Sequence, residues 1–483
     1  MIQMKHFKYL LIYLCVLIKI SSIPFVEEQD FIKPDGSSQM DPFKKGLLIR
    51  AKQGPRGALT ALSYYESALR QNPSSIEILD ELAEVFDELK KYDKALAARK
   101  EALAIRVRKS GGSISIAEFV SSYAAIAQDL QHIGDYKQAN EMLKKAIDAL
   151  GPPSSVSSSS RSLLLRMKSN VFECSGSSLD ALLSFETALD LSGIVGQKPR
   201  LKDMSNDDLL TYVWLLRRAI SNESSSSSSS FSIIKQRESS VTRQLIKRGP
   251  WVRGDQLPKQ LLPNLLSKPW HTVETFHGLD VVEKLLERYA PLLMNDLINI
   301  QRLGYMLNET ECINDSVLGK WTWFATNGFW LPNKVDGCSS KETPHACLLL
   351  SEVSKIQIKS SRLHLFNNAK EEEKEFKLLR VVRGSFSVLG PYAHLHPHCG
   401  TTNTQLKMHV GLDIPLHPTT GVSCAFLKVG NETRTWIQNK VLFFDDSYAH
   451  EVRNECNAER SVFQLVFEHP DLTLPLTNVI TSH

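Results

Sequence analysis

The sequence predicts a multidomain α + β protein: tetratricopeptide-like α-helical repeats over residues 45–195, then a double-stranded β-helix, or jelly roll, over residues 261–483. Three observations predict it. Alanines recur in pairs seven residues apart through the first half. A serine-rich stretch interrupts the chain near its middle. Short β-like runs separated by turns fill the last third.

Residues 1–22 precede the repeats. Lys5 and Lys8 lead into the apolar run Tyr9 to Ile18, followed by Lys19, Ser21, Ser22 and Pro24. A basic start, a short apolar core and a small-residue exit describe a secretory signal, cleaved or kept as a signal-anchor. Lys19 ends the run well short of the roughly 20 apolar residues a span needs. The alternative is a buried helix. Both signal readings send the chain into the secretory pathway, where the Asn-x-Ser/Thr sequons at Asn222, Asn308, Asn314 and Asn431 become glycosylation candidates. Cys338 and Cys347 bracket a short polar loop and read as a disulfide or as two free thiols. Cys174, Cys312, Cys399, Cys424 and Cys456 have no evident partner. A net charge of +4 gives no reason to expect nucleic acid.

In the repeats, Ala61, Ala95, Ala139 and Ala181 open the same pattern, answered seven residues on by Ala68, Ala102, Ala146 and Ala188. The interval from Ala61 to Ala95 is 34, the tetratricopeptide period. Leu82, Ala83, Phe86, Leu89 and Tyr92 fall before Ala95 as Ile126, Ala127, Leu130, Ile133 and Tyr136 fall before Ala139. Small alanines let paired helices approach, and the larger residues fill the gaps. An ordinary Ala-rich helical bundle is the alternative. Stacked repeats of this kind offer a surface to an extended partner.

Residues 196–260 read as a linker because of the unbroken run Ser224–Ser230, with a short helix around Asp207–Ile220 and a solvated basic tether at Lys247–Arg253. Beyond it, Leu279–Arg302 has helical spacing, with Leu285, Leu286, Tyr289 and Leu293 on one side. Leu378–Val382, Ser385–Leu389, Leu406–Leu412, Val422–Val429, Val441–Phe444 and Ser461–Phe467 are strand candidates. Many short strands in one domain favour a sandwich or barrel.

The chemistry concentrates here. His398 and His450 lie 52 residues apart and read as two ligands of a non-haem iron centre. Where a facial triad would carry Asp or Glu, the chain has Gly400. His394, His396 and His398 alternate and would share a face if extended, which leaves open a different metal site or a His-rich edge. Arg460 heads an apolar strand, with Val462 and Gln464 on its face, and its guanidinium suits a carboxylate; a surface arginine is the other reading. Asp446 is a candidate catalytic carboxylate that would orient a water at the metal, or else a turn-capping residue beside Ser447. Cys399 is a small filler or a reactive thiol.

The segment from Ser387 to Phe467 resembles the aspartyl/asparaginyl β-hydroxylases, iron(II)- and 2-oxoglutarate-dependent oxygenases of the endoplasmic reticulum. The matching words are His396-Pro-His398 with Gly400 and Thr402-Asn403, Met408-His409-Val-Gly-Leu, Asn431-Glu-Thr-Arg-Thr-Trp436, Phe444-Asp-Asp-Ser-Tyr-Ala-His450-Glu-Val452, and Arg460. The resemblance implies that His398 and His450 bind Fe(II), with glycine at position 400 a family property. It implies that Ser387 and Arg460 hold the distal carboxylate of 2-oxoglutarate, that His409 helps hold cosubstrate or substrate, and that Trp321 lines the pocket, with O2 as the other cosubstrate. It further implies hydroxylation of the β-carbon of Asp or Asn in protein substrates, epidermal-growth-factor-like domains among them. The implied location is the endoplasmic reticulum lumen or a type II anchor in its membrane. Where the family carries Arg-x-Arg, this chain has Gln405-Leu-Lys407; Lys407 is the cofactor-binding candidate there, keeping one charge but losing the bidentate fork. A binding protein with impaired turnover is the reading from another class.

Overall fold

The computed structural model describes residues 41–53, 57–112, 114–152, 158–191, 201–222, 229–308, 317–326, 338, 341–359 and 376–472. The expected signal, residues 1–22, and the sequon at Asn314 lie outside them. The chain divides into two compact units, Met1–Val171 and Phe172–His483. Among the described helices, none is long and apolar enough to cross a membrane.

The first unit is built of antiparallel helix pairs: α1 (Pro42–Gln53) with α2 (Ala58–Gln71), α3 (Ile76–Glu88) with α4 (Tyr92–Lys109), and α5 (Ile116–Ile133) with α6 (Tyr136–Ala149). Two more helices follow in the chain, α7 (Ser158–Cys174) and α8 (Ser178–Leu191). All eight repeat alanines are buried, which bears out the tetratricopeptide-like reading. With nothing beyond Cβ they allow close helix approach, and Leu82, Phe86, Ile126 and Leu130 fill the space between. Local signals set the boundaries: a Ser115/Glu118 capping box starts α5 and left-handed Gly134 ends it. Arg99 of α4 gathers three carboxylates, at 2.5 Å from Asp129, 2.7 Å from Asp87 and 2.9 Å from Glu84. Burial, reinforced by Asp87 and opposed by Arg99, pushes the Asp129 carboxyl up to about 7.

In the second unit, the stretch expected to be a linker is instead largely helical. It forms α9 (Asn206–Asn222) and α10 (Ser229–Arg248). The helix expected around Asp207–Ile220 is present as α9, and the serine run hid α10. Leu209, Tyr212, Val213, Leu216 and Ala219 recur at helical spacing, and they are buried with Val241, Leu245 and Trp251 in one apolar cluster. The expected basic tether is likewise anchored: Trp251 is buried and donates its Nε1–H to the Pro258 carbonyl at 2.7 Å.

The remaining elements are α11 (Leu279–Arg302), β1 (Leu307–Asn308), β2 (Val317–Leu318), β3 (Trp321–Ala325), α12 (Pro344–Val353), β4 (Gln357–Lys359), β5 (Phe376–Leu378), β6 (Val381–Leu389), β7 (His394–His398), β8 (Gln405–Asp413), β9 (Ala425–Val429), β10 (Glu432–Thr435), β11 (Val441–Phe444), β12 (His450–Asn454) and β13 (Arg460–Glu468). Two antiparallel sheets face each other, one in the order β1-β3-β6-β13-β8-β11 and one in the order β10-β9-β12-β7-β2. Side-chain alternation sorts their residues. Leu389, Val462 and Phe444 of the first sheet meet Leu395, Leu427, Val429 and Val452 of the second between the sheets. On the opposite face of the first sheet, Leu406, Met408, Val410, Phe463 and Leu465 pack against Leu286 and Leu293 of α11 and Leu349 of α12. Helix α9 packs against β7 from outside.

Cys338 and Cys347 form a disulfide, with Cα atoms 5.6 Å apart. Cys424 and Cys456, unpaired in the sequence reading, form another, with Cα atoms 5.5 Å apart. Sheet pairing makes this second bond, because Ala425 lies opposite Asn454 and brings the flanking cysteines together. Asn431 is exposed at the β9–β10 turn, open to a glycan; nothing is described of the Asn222 and Asn308 side chains. Replacing Cys424 and Cys456 together by alanine should lower stability by about 4 kcal/mol, the entropy of a closed loop of this length. Denaturant unfolding of oxidised wild type against the double variant checks this.

Candidate metal centre

The two histidines meet across a strand pair. His450 of β12 lies opposite His398 of β7, and their ring centroids are 4.1 Å apart. Two residues later on β12, Val452 lies opposite Leu395, so three steps on β7 answer two on β12. This bulge inserts one residue and reverses the alternation. It turns His398 to the interior face that carries Leu395, whereas His394 and His396 stay on the other face. The expectation that all three histidines of this strand share a face therefore fails at the bulge. His394 is taken up by Glu451, with Nε2 at 3.1 Å from Oε2, and His396 is buried.

Both ligand candidates are fixed in one tautomer by their own strands. His398 Nδ1 lies 2.7 Å from the His396 carbonyl oxygen, and His450 Nδ1 lies 2.9 Å from that of Tyr448. Each Nδ1–H donates to its carbonyl, so each Nε2 keeps its lone pair, as metal ligation requires. Burial depresses both imidazoles, His398 to about 4 and His450 to about 3, and keeps them neutral. Among the described residues, no three His, Cys, Asp or Glu side chains converge on one metal position.

Gly400 has a steric cause. A Cβ there would lie 2.5 Å from Asp446 Oδ2 and 2.6 Å from Cγ. The Asp446 carboxylate thus fills the space where a side chain at 400 would begin, and Gly400 N–H donates to the Asp446 carbonyl at 2.6 Å. Asp446 Oδ2 lies 2.7 Å from Lys407 Nζ. Burial alone would raise the Asp446 pKa; Lys407, His450 and His398 outweigh it and hold the carboxylate below its ordinary value. Turn capping belongs to the neighbouring residue, for Asp445 Oδ1 accepts from Ser447 N–H at 2.9 Å. Burial pushes the Cys399 thiol up, so it stays protonated and acts as a filler.

Arg460 is the most telling group. It is fully buried, and its Nε and Nη1 have no hydrogen-bond partner. Its guanidinium lies over the Trp436 ring at 4.7 Å. Burial without a counter-charge pulls its pKa down to about 9. The sheet register aligns it with the other expected residues. Arg460 and Trp321 both oppose Leu389, and Ser387 opposes Val462. His409 opposes Gln464. Alternation puts these side chains on the interior face. Trp321 Nε1–H donates to Ser387 Oγ at 2.9 Å. Both ring nitrogens of buried His409 lack partners, and burial holds this imidazole neutral. Trp436, to which the sequence reading gave no role, stacks on His409 at 6.2 Å between centroids and carries the Arg460 guanidinium. Its only sequence signal was its place in a matched motif.

A strap at residues 256–271 ties both ligand loops. Gln260 N–H donates to the Thr401 carbonyl at 2.9 Å. Asn403 exchanges two bonds of 2.8 Å with the Leu262 backbone. Ser267 Oγ reaches Asp445 at 3.0 Å, and Gln256 Nε2 reaches Ser447 at 2.9 Å. The loops that follow His398 and precede His450 are therefore held by the same short segment.

Residues 339–470 match the family model described as Aspartyl/Asparaginyl beta-hydroxylase. The chain is 30% identical over 229 residues to the mouse protein named "Aspartyl/asparaginyl beta-hydroxylase" and equally to the human one, covering 47% of this chain but 27% and 26% of those proteins. It thus spans about a quarter of the length of these curated relatives. It is also 33% identical over 94 residues to an "Ornithine lipid ester-linked acyl 2-hydroxylase" of Rhizobium tropici, 20% of this chain and 32% of that one. Among solved structures it is similar to MamA from Desulfovibrio magneticus at 13% identity and a TM-score of 0.31, over 44% of this chain and 99% of that one.

Two outcomes follow from the electrostatics. An unpaired buried guanidinium destabilises the ligand-free fold. Arg460→Met should therefore melt no lower than wild type without ligand, while losing any thermal shift on addition of a small dicarboxylate. The second concerns pH. Burial holds His271, His396 and His450 near 3 and His398 near 4, against 6.5 when unfolded. Below pH 6.5 the unfolded chain binds protons that the native one refuses. Stability of the metal-free protein should thus be full above that pH and fall as pH drops toward 4, measurable as a falling urea midpoint.

Proposed function

With the C-terminal domain belonging to the aspartyl/asparaginyl β-hydroxylase family, we propose that this protein is an Fe(II)- and 2-oxoglutarate-dependent dioxygenase that hydroxylates the β-carbon of Asp or Asn in protein substrates. The observation that carries the reading is Arg460, a buried guanidinium with unsatisfied nitrogens on the face that also bears Ser387 and His409. A small carboxylate meets that need, since a guanidinium can hold it through two parallel bonds.

The residues fit the implied groups. His398 and His450, neutral and with Nε2 lone pairs, would hold Fe(II). Arg460 and Ser387 would take the distal carboxylate of 2-oxoglutarate, and Trp321 would keep the Ser387 hydroxyl oriented through its bond to Oγ. His409 lies beyond, able to donate from one ring nitrogen and accept at the other. When bound, iron and 2-oxoglutarate would supply the oxidation: one oxygen atom of O2 goes into succinate as CO2 leaves, and the other enters the substrate C–H bond. The protein's own contribution is placement and dryness. Phe444, Trp436, Val462 and Leu427 exclude water around the charged groups, where electrostatic attraction is stronger than in bulk solvent.

The helical repeats give the chain a binding role beside the chemical one, toward an extended protein segment. The reading extends to epidermal-growth-factor-like substrates and to the endoplasmic reticulum lumen, with the N-terminal segment a signal or a type II anchor. The disulfides Cys338–Cys347 and Cys424–Cys456 and the exposed sequon at Asn431 support an oxidising, glycosylating compartment. Incubation with Fe(II), 2-oxoglutarate and epidermal-growth-factor-like peptides should add one oxygen atom to Asp or Asn, with matching succinate. His398→Ala and Arg460→Met should abolish both, and absence of product across a broad peptide panel would refute the reading.

A further inference from the structure

We infer that Lys407 is a positioning residue: its ion pair with Asp446 keeps that carboxylate from becoming a third protein ligand to the metal. The inference deepens the reading above and rests on His398 and His450 as ligands.

The two-histidine centre does not lack a carboxylate in its neighbourhood. The Asp446 carboxylate lies at the point where a side chain at position 400 would leave the backbone, with Oδ2, Cγ and Oδ1 at 2.5, 2.6 and 2.8 Å from that Cβ position. In the His-x-Asp/Glu arrangement, that side chain provides the third ligand. Asp446 therefore approaches the vacated place from the other loop. It stands four residues before His450, and both it and His450 are buried.

What restrains it is also visible. Lys407 projects from β8, opposite Phe444, and its Nζ takes Asp446 Oδ2 at 2.7 Å. The pair is largely shielded, with Lys407 and Asp446 side chains 20% and 9% exposed, so solvent weakens it little. At the backbone, Gly400 N–H holds the Asp446 carbonyl at 2.6 Å. Carboxylate and main chain are thus fixed from two sides. Lysine suits this role: it is a compact point charge that neutralises one oxygen, without a fork that would reach past Asp446 to another anion. The charges agree. Lys407 and Asp446 cancel, two imidazoles are neutral, and the metal's charge is left for an incoming dianion. Were Asp446 to ligate, the centre would lose one open position and one unit of positive charge.

The test uses the full chain and cobalt(II) as a spectroscopic metal, followed by titration and by its visible d–d bands, without turnover. Wild type should bind weakly, with the spectrum of a two-histidine site. Lys407→Met should bind about tenfold tighter, the scale on which residues around a metal's ligands act, and should change the d–d bands as a carboxylate joins. The double variant Lys407→Met/Asp446→Asn removes both charges together and should return to the wild-type spectrum and affinity. Lys407→Gln keeps most of the stem and should repeat the single variant's result if Lys407→Met fails to fold. An unchanged spectrum in both single variants overturns the proposal, as does a changed spectrum that persists in the double variant. His398→Ala separates the two levels: loss of cobalt binding supports the metal site whatever Lys407 does, and undiminished binding removes the site and the proposal with it.

Discussion

The register between β7 and β12 is the constraint on which the centre depends. A metal held by two side chains needs both on one face, at one depth, in one tautomer. Strand pairing supplies all three. It sets His450 opposite His398, the bulge turns His398 inward, and each imidazole is pinned by a carbonyl of its own segment. Nothing in this scheme needs the metal to assemble it.

Around that register the domain is arranged as a sequence of neutralities with one exception. Buried imidazoles are held neutral, Lys407 cancels Asp446, and Glu451 takes up His394 on the outer face. Arg460 alone, among the described interior groups of the first sheet, keeps an uncompensated charge, with Trp436 beneath it. A protein tolerates such a group where a ligand completes it. The same logic makes Gly400 a packing residue: it is small because Asp446 needs the space.

Much of this was legible in the sequence, unevenly. The repeat alanines and the strands β6, β8, β11 and β13 could be read because burial and strand alternation leave periodic traces; His398, His450 and Arg460 stood out by residue type and spacing, whereas Ser387 and His409 were visible only through the family resemblance. Three things could not. The bulge in β7 leaves no trace in a His-x-His-x-His alternation, since one inserted residue reverses faces without changing composition. The helix Ser229–Arg248 was masked by the serine run that leads into it, although Val241 and Leu245 pack with Leu209 and Leu216 of the helix before it. The Cys424–Cys456 bond joins residues 32 apart in sequence, and only the pairing of β9 with β12 brings them together.

The strap at residues 256–271 has a consequence for what counts as the unit of this chemistry. The stretch that matches the family model, residues 339–470, contains both ligand histidines and Arg460. Yet the backbone that ties the two ligand loops, the helix that covers β7 and the strand that brings Trp321 to Ser387 all lie before it. A segment cut at the borders of the family resemblance would carry the reactive side chains and lose the framework that aims them. The smallest autonomous piece is larger than the recognisable one, and its beginning is written in the helices that looked like a tether.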